Sequence, residues 1–379
     1  MIILFIGLLL IVYGISAKNY SVARGMFFVF LILGLQEGIP GDYMSYKYDF
    51  EHGGADPDDV FSTVKETEYS IIWLTQMLSR FINFHWFVFL TALVQCFAMG
   101  AMIKEHADRR YWNFGVLLVF FTYNIMLIQM KAMRQGYAVE CLLLAYWLLG
   151  RQKYLFSILF AAIAYGFHNS ALVVLPFFVV LFVMMFLKRK EEFVKKNRIT
   201  KIDAMVEGKS FKYATIVSIG LIAFTILKFT LIDSYVKPFV VGLDFFKYGG
   251  YLEEMEERGL AWWIVLYNVI ATFTATLYFI NEKDLYRKYL AFISVVASYI
   301  YVGFFGMGSL FRLSMFFDIF AIVTFPNVAT LLLNTYGKKI ATYYIIFNMV
   351  FLMYVSVMHM VSMNIQDGFG YGMFRFSFM

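Results

Sequence analysis

Residues 131–170 read KAMRQGYAVECLLLAYWLLGRQKYLFSILFAAIAYGFHNS: two apolar runs, 135–149 and 154–167, separated by Arg151 and Lys153 and bounded by Arg134 and His168. A charge deep in a bilayer is costly and must find water, a phosphate or a partner, so cations and an imidazole at such places mark a candidate site. Lys131 and Arg134 are three residues apart, and a helix through both sets them on one face, which Gln135 and Ala138 extend. Arginine offers a planar fork of donors suited to phosphate, and lysine adds a mobile point charge. The plainer reading of Lys131 and Arg134 is snorkelling at helix ends, and that of His168 is a turn cap.

Apolar runs recur along the whole chain, at 1–16, 22–37, 84–103, 112–128, 135–149, 154–167, 170–187, 212–232, 261–280, 288–306, 311–333 and 341–361. Of the 379 residues 61% are hydrophobic, 20% aromatic and 15% charged, and the mean hydropathy is +0.70. A soluble domain carries about 25% charged residues. The expectation is an all-α polytopic membrane bundle of about 12 spans forming a single domain over 1–379, since a full span needs about 20 apolar residues. Runs such as 135–149 and 154–167 are shorter than that, and predict tilted, broken or re-entrant helices. No small-residue cleavage site follows the first run, so Met1 to Ile15 reads as a retained helix.

Orientation follows from the sorting of lysine and arginine. With the N-terminus outside, the inner connections hold Lys18, Arg24, Lys104, Arg109, Arg110, Arg151, Lys153, Lys283, Arg287, Lys338 and Lys339, and the densely basic loop 188–212. The outer connections are acidic: Asp42, Asp49, Glu51, Asp56, Asp58, Asp59, Glu66 and Glu68 fall in the first, which extends over 38–83, and Glu253, Glu254, Glu256 and Glu257 in the loop 233–260. Basic loops inside and acidic loops outside predict an N-out, C-out chain. Because the formal charge of +6 is sorted by membrane side, it is topology and not a nucleic-acid surface. Within the first outer connection, residues 66–80 carry Tyr69, Trp73 and Met77 beside Ile71, Leu74 and Leu78 at helical spacing, too short to span. They predict an amphipathic helix lying on the outer interface.

Several chemistries lack a foothold. There is no phosphate-binding glycine loop between a strand and a helix, and the five histidines, 52, 85, 106, 168 and 359, show no ligand spacing, so no metal and no cofactor is expected. Cys96 and Cys141 lie in apolar runs as small hydrophobes. What remains faces the outer side: the cations Lys131, Arg134 and Arg312, and the acid–base candidates Asp42, Glu66, Glu68 and His168, among which the residues alone do not choose. Glu140, six residues beyond Arg134, lies on a different face of the same helix.

In this order the residues resemble the EpsG family of exopolysaccharide polymerases, within the broader Wzy-like class. The resemblance is carried by Gly41-Asp42-Tyr43, by Glu66-Thr67-Glu68-Tyr69 where the family has a Glu before Pro-Gly-aromatic, by Arg134-Gln135, by Phe167-His168-Asn169-Ser170-Ala171, and by the late Arg312. The Pro-Gly is absent here, which leaves Glu66 and Glu68 both open as the family carboxylate. The resemblance implies an enzyme at the outer face of a bacterial cytoplasmic membrane that joins oligosaccharide repeat units carried on a polyprenyl pyrophosphate lipid. It implies catalytic roles among His168, Asp42, Glu66 and Glu68, and substrate-binding roles for Arg134, Gln135, Arg312, Tyr43 and Ser170, to which the spacing from Arg134 adds Lys131. Donor and acceptor lipid-linked glycans, membrane lipids, a flippase and a chain-length regulator are the implied partners. A lipid-linked oligosaccharide flippase or exporter would need the same anion site without the base, and a membrane acyltransferase would again use a histidine and arginines.

Overall fold

The structure, a computed structural model, describes residues 9–14, 16, 21–37, 43–58, 64–122, 125, 132–192, 208–228, 262–304, 313–366 and 375–376. Within these residues the chain is helical apart from one two-residue antiparallel pair, β1 (Gln36–Glu37) with β2 (Arg375–Phe376). It forms two compact units, one of residues 1–201 with 342–379 and one of residues 202–341.

The first unit contains α1 (Ser21–Gly34), α2 (Tyr43–Glu51), α3 (Tyr69–Leu78), α4 (Phe84–His106), α5 (Trp112–Phe121), α6 (Met133–Gly150), α7 (Tyr154–Phe167) and α8 (Leu175–Glu192). At its centre is α6, buried continuously from Met133 to Tyr146. A helix closed in on all sides is the natural place for an unbroken apolar run, which makes the burial of Arg134, Gln135 and Glu140 on it the exception to explain. The three-residue link at 151–153 folds α7 back along α6, with Gln152 at φ 60°, and Ser157 Oγ donates to the Ala145 carbonyl at 2.7 Å across the pair. The N-terminal end of α6 and the C-terminal end of α7 therefore lie at the same end of the hairpin. At the other end, Glu105 Oε2 accepts from Trp147 Nε1 at 2.8 Å and Arg151 Nε at 2.7 Å, fastening α4 to the turn.

Helix α4 begins where Asn83 Oδ1 accepts the Trp86 N–H at 3.1 Å, and its last turn carries Lys104 and His106, favourable at a helix C-terminus. It and residues 209–227 are long and apolar enough to cross a membrane, and 21–34, 154–167, 175–187 and 265–281 are shorter apolar helices. Leu155, Phe156, Ile158 and Leu159 of α7 and Val179, Val180, Val183 and Phe186 of α8 are exposed. Apolar faces of this extent exceed what a soluble monomer leaves to water and are consistent with a helical membrane protein.

The second unit holds α9 (Gly208–Leu227), α10 (Trp262–Asn281), α11 (Leu285–Phe304), α12 (Met315–Asp318) and α13 (Ala321–Tyr336), and α14 (Lys338–Gln366) begins at its boundary. Its interior contains polar ties, among them Ser294 Oγ to Thr324 Oγ1 at 2.9 Å and Tyr299 O–H to the Val217 carbonyl at 2.8 Å.

Two runs expected as single helices are divided. The run 170–187 opens with a 3₁₀ turn at Asn169–Val173 before α8 starts at Leu175, and Pro176 sits in the first turn, where a missing N–H costs nothing. The run 311–333 is split at Ile319–Phe320 between α12 and α13. Pro326 lies within α13, where it cannot bond the carbonyl of Ile322. The loop 233–260, expected on the outer side, and most of the basic loop 188–212 lie outside the described residues.

Candidate functional site

Arg134 occupies the first turn of α6 and is 8% exposed; Glu68, immediately before α3, is 1% exposed. Their side chains form a buried ion pair through Nη1 and Oε2, and Arg134 Nε donates to the Tyr46 hydroxyl of α2 at 3.2 Å. The guanidinium carbon also lies 5.4 Å from the Tyr46 ring centroid, within cation–π range. A buried ion pair adds little net stability, because both groups lose hydration, but a guanidinium gripped at two edges has a fixed plane.

The same Glu68 oxygen accepts the Lys65 N–H at 3.2 Å. Burial pushes the Glu68 carboxyl above its ordinary value, and the Arg134 charge and the Lys65 N–H pull it back only in part. Glu66, two residues earlier, is exposed. The structure thus brings Glu68, not Glu66, to the arginine.

His168 caps the C-terminal end of α7 in an extended conformation, φ −160° and ψ 128°, and opens the following 3₁₀ turn. Its Nδ1 accepts the Ser170 N–H at 3.1 Å, and Ser170 Oγ is 2.7 Å away. With Nδ1 taken as an acceptor, the neutral ring carries its proton on Nε2 and presents a donor there. Between the two halves, Asn169 Nδ2 donates to Thr67 Oγ1 at 2.7 Å. Ser70 Oγ donates to the Ile163 carbonyl at 3.0 Å, and a Cβ at Gly166 would meet Ser70 Oγ at 2.3 Å. Only glycine admits so close an approach of α3 to α7.

Gln135 and Tyr43 are also buried here, the latter edge-on to Phe84 with centroids 5.2 Å apart. A cavity beside the arginine is lined by Tyr46, Asp49, Thr75, Phe87, Arg134 and Tyr137 among others. Asp42, Lys131 and Arg312 lie outside the described residues. Reading the sequence missed Tyr46 as a site residue and took Asp49 only as one of the acidic residues of the first outer connection. Their i, i+3 spacing on one face of a short helix just after Gly41-Asp42 was the available signal.

The structure therefore gathers Glu68, Arg134 and the His168-Asn169-Ser170 turn, three of the ordered motifs, in one unit. The sequence profile of the EpsG family matches residues 19–369, a span that contains every residue just described. The chain belongs to the EpsG family. No curated protein and no solved structure matches it. Within this EpsG chain the carboxylate left open between Glu66 and Glu68 acquires a geometric distinction, because only Glu68 is buried against the arginine of the Arg134-Gln135 pair. The EpsG match ends before β2, whose pairing with Gln36–Glu37 brings the C-terminal segment to the end of α1.

Proposed function

We propose that this EpsG-family chain is a membrane polysaccharide polymerase, which transfers a glycan from one polyprenyl-pyrophosphate lipid to a sugar hydroxyl of another at the outer face of a bacterial cytoplasmic membrane. The observation that carries the reading is the buried Glu68–Arg134 pair, tied through Thr67 and Asn169 to the His168 turn. It combines a fixed cation, a carboxylate raised by burial and an imidazole N–H donor at one end of a helical hairpin.

In the transfer, the acceptor oxygen bonds to the donor's anomeric carbon as the bond from that carbon to the pyrophosphate oxygen breaks. The leaving pyrophosphate carries away the bonding pair, and the acceptor hydroxyl releases a proton. Arg134 and the His168 Nε2–H stabilise the charge that develops on the leaving group. Glu68 takes the proton, its raised basicity bringing it nearer the operating pH than an ordinary carboxylate. In this reading Lys131, Arg312, Asp42 and Tyr43 keep the roles expected of them from the sequence, and Ser170 sets the imidazole tautomer.

The topology that goes with this has about twelve spans, the N- and C-termini outside, and residues 188–212 in the cytoplasm. The β1–β2 pairing supports it, since the segment entering the first outer connection and the C-terminal segment lie together. The test is incubation of the purified protein, reconstituted in liposomes, with its lipid-linked repeat unit. Glycans of increasing repeat number support polymerase. Lipid-linked units that merely change leaflet indicate a flippase, and a mass gain of one acyl group indicates an acyltransferase.

A further inference from the structure

A second cavity lies beside the charged one, sharing Met133 and Tyr137 with it. It is lined by Gln36 of β1, Thr91 and Gln95 of α4, Tyr137 of α6, and the apolar Leu33 and Ala92 among others. Its empty space is about 210 Å³ counted out to the open mouth, and the enclosed part is of water size, room for one hydroxyl.

Gln36 is 7% exposed and Gln95 6%. The Gln36 Oε1 is buried and has no hydrogen-bond partner among the described residues. A buried amide oxygen left unmatched is costly, so native structures rarely keep one without something to bind. Also on the lining, the Thr91 hydroxyl donates to the Tyr137 hydroxyl at 3.1 Å.

The polar wall is made of carboxamides and hydroxyls, with neither a cation nor a carboxylate. That chemistry discriminates. An anion would meet the Gln36 carbonyl oxygen and no countercharge, and a cation would find no carboxylate. A neutral hydroxyl, which both donates and accepts, matches it. Apolar surface from Leu33 and Ala92 suits the carbon that bears the hydroxyl.

We infer that this cavity is a sugar subsite, in which Gln36 and Gln95 hold one hydroxyl of a neutral ring of the repeat-unit glycan while the charged cavity next to it takes the anionic end of the lipid carrier. The inference rests on the polymerase reading for the identity of the glycan only. The carboxamides distinguish glycans by the position of a hydroxyl, since a buried hydrogen-bonding group left unpaired rejects the analogue that lacks its partner.

The test uses the neutral oligosaccharide released from the lipid-linked unit, with no phosphate, titrated into the purified full-length protein and followed by equilibrium dialysis. Gln36→Met and Gln95→Met, which keep side-chain length and lose the amide, should each weaken binding by about three- to ten-fold, the range for one neutral hydrogen bond. Thermal melts of each variant establish that it is folded, and Gln36→Asn, which retains a shortened amide, should fall between the wild type and Gln36→Met. Absence of wild-type binding, or binding indifferent to both glutamines, overturns the inference and leaves the cavity an ordered-water site. Glutamine-dependent binding by a protein that forms no polymer would uphold the subsite and reject the polymerase, and polymer formed with glutamine-independent binding would do the reverse.

Discussion

Asn169 reaches Thr67 at 2.7 Å, joining the residue after His168 to the residue before Glu68. This contact spans 102 positions of sequence and ties the buried ion pair on one side to the imidazole turn on the other. If it sets their separation, it should carry coupling energy. A double-mutant cycle with Thr67→Val and Asn169→Leu should give an interaction of about 0.5–1.5 kcal/mol in stability, and either single variant should slow polymerisation nearly as much as the pair. Additive losses in both readouts would show that the two halves are independent.

Glu68 gives a signed dependence on pH. Burial raises its folded pKa above the ordinary 4.5, so the folded state binds its proton more tightly than the unfolded state does. The stability contributed by this group is fully present below pH 4.5 and is lost as pH rises through the higher folded value. Glu68→Gln removes that dependence. The melting temperature of the wild type relative to Glu68→Gln should therefore decline between acid and neutral pH in detergent. A relative stability that climbs over that interval would mean that Arg134 outweighs burial and that the carboxyl is held below its ordinary range.

The role proposed for the His168 ring is to donate through Nε2, with Nδ1 engaged by Ser170. His168→Ala should reduce the polymerisation rate by about 10²–10⁴-fold at equal protein level, the range for loss of a positioned proton-transfer or donor group. His168→Gln, which still offers an N–H, should recover part of that loss. Near-native rates for His168→Ala would leave the residue as a helix cap alone.

Much of this architecture could be read from the sequence because hydrophobic run length is a strong signal. The expected runs 154–167 and 84–103 appear as Tyr154–Phe167 and Phe84–His106, and the short amphipathic segment appears as Tyr69–Leu78 with Ile71 and Thr75 turned inward. Lone polar residues inside apolar runs were equally visible, which is how Arg134 and His168 stood out. Breaks within runs were harder to see. Nothing apolar distinguishes Asn169–Val173 from a helix, and the turn there depends on a side chain, His168, accepting the Ser170 N–H.

Partners lay further out of reach. Glu68 and Arg134 are 66 residues apart, and no periodicity links them, so one glutamate could not be preferred over another until the fold placed Glu68 under the arginine. Tyr46 was silent for the same reason: an aromatic residue on a short loop helix says nothing of the cation it holds. Gln36 was hidden at the end of an apolar run, where a carboxamide reads as a helix terminus.

Arg134 is where the polymerase reading is most exposed to test. Lysine keeps the charge but loses the planar fork that Tyr46 and Glu68 hold in place, whereas alanine would leave a buried carboxylate without its countercharge and risk the fold. The decisive measurement is the initial rate and product length from the lipid-linked repeat unit for wild type and Arg134→Lys, at matched levels of folded protein. A charge-assisted hydrogen bond is worth about 1.5–3 kcal/mol, so the wild type should extend the glycan and Arg134→Lys should do so about ten- to a hundred-fold more slowly. Extension at the wild-type rate by Arg134→Lys would contradict the role of the guanidinium, and no extension by the wild type itself would contradict the polymerase.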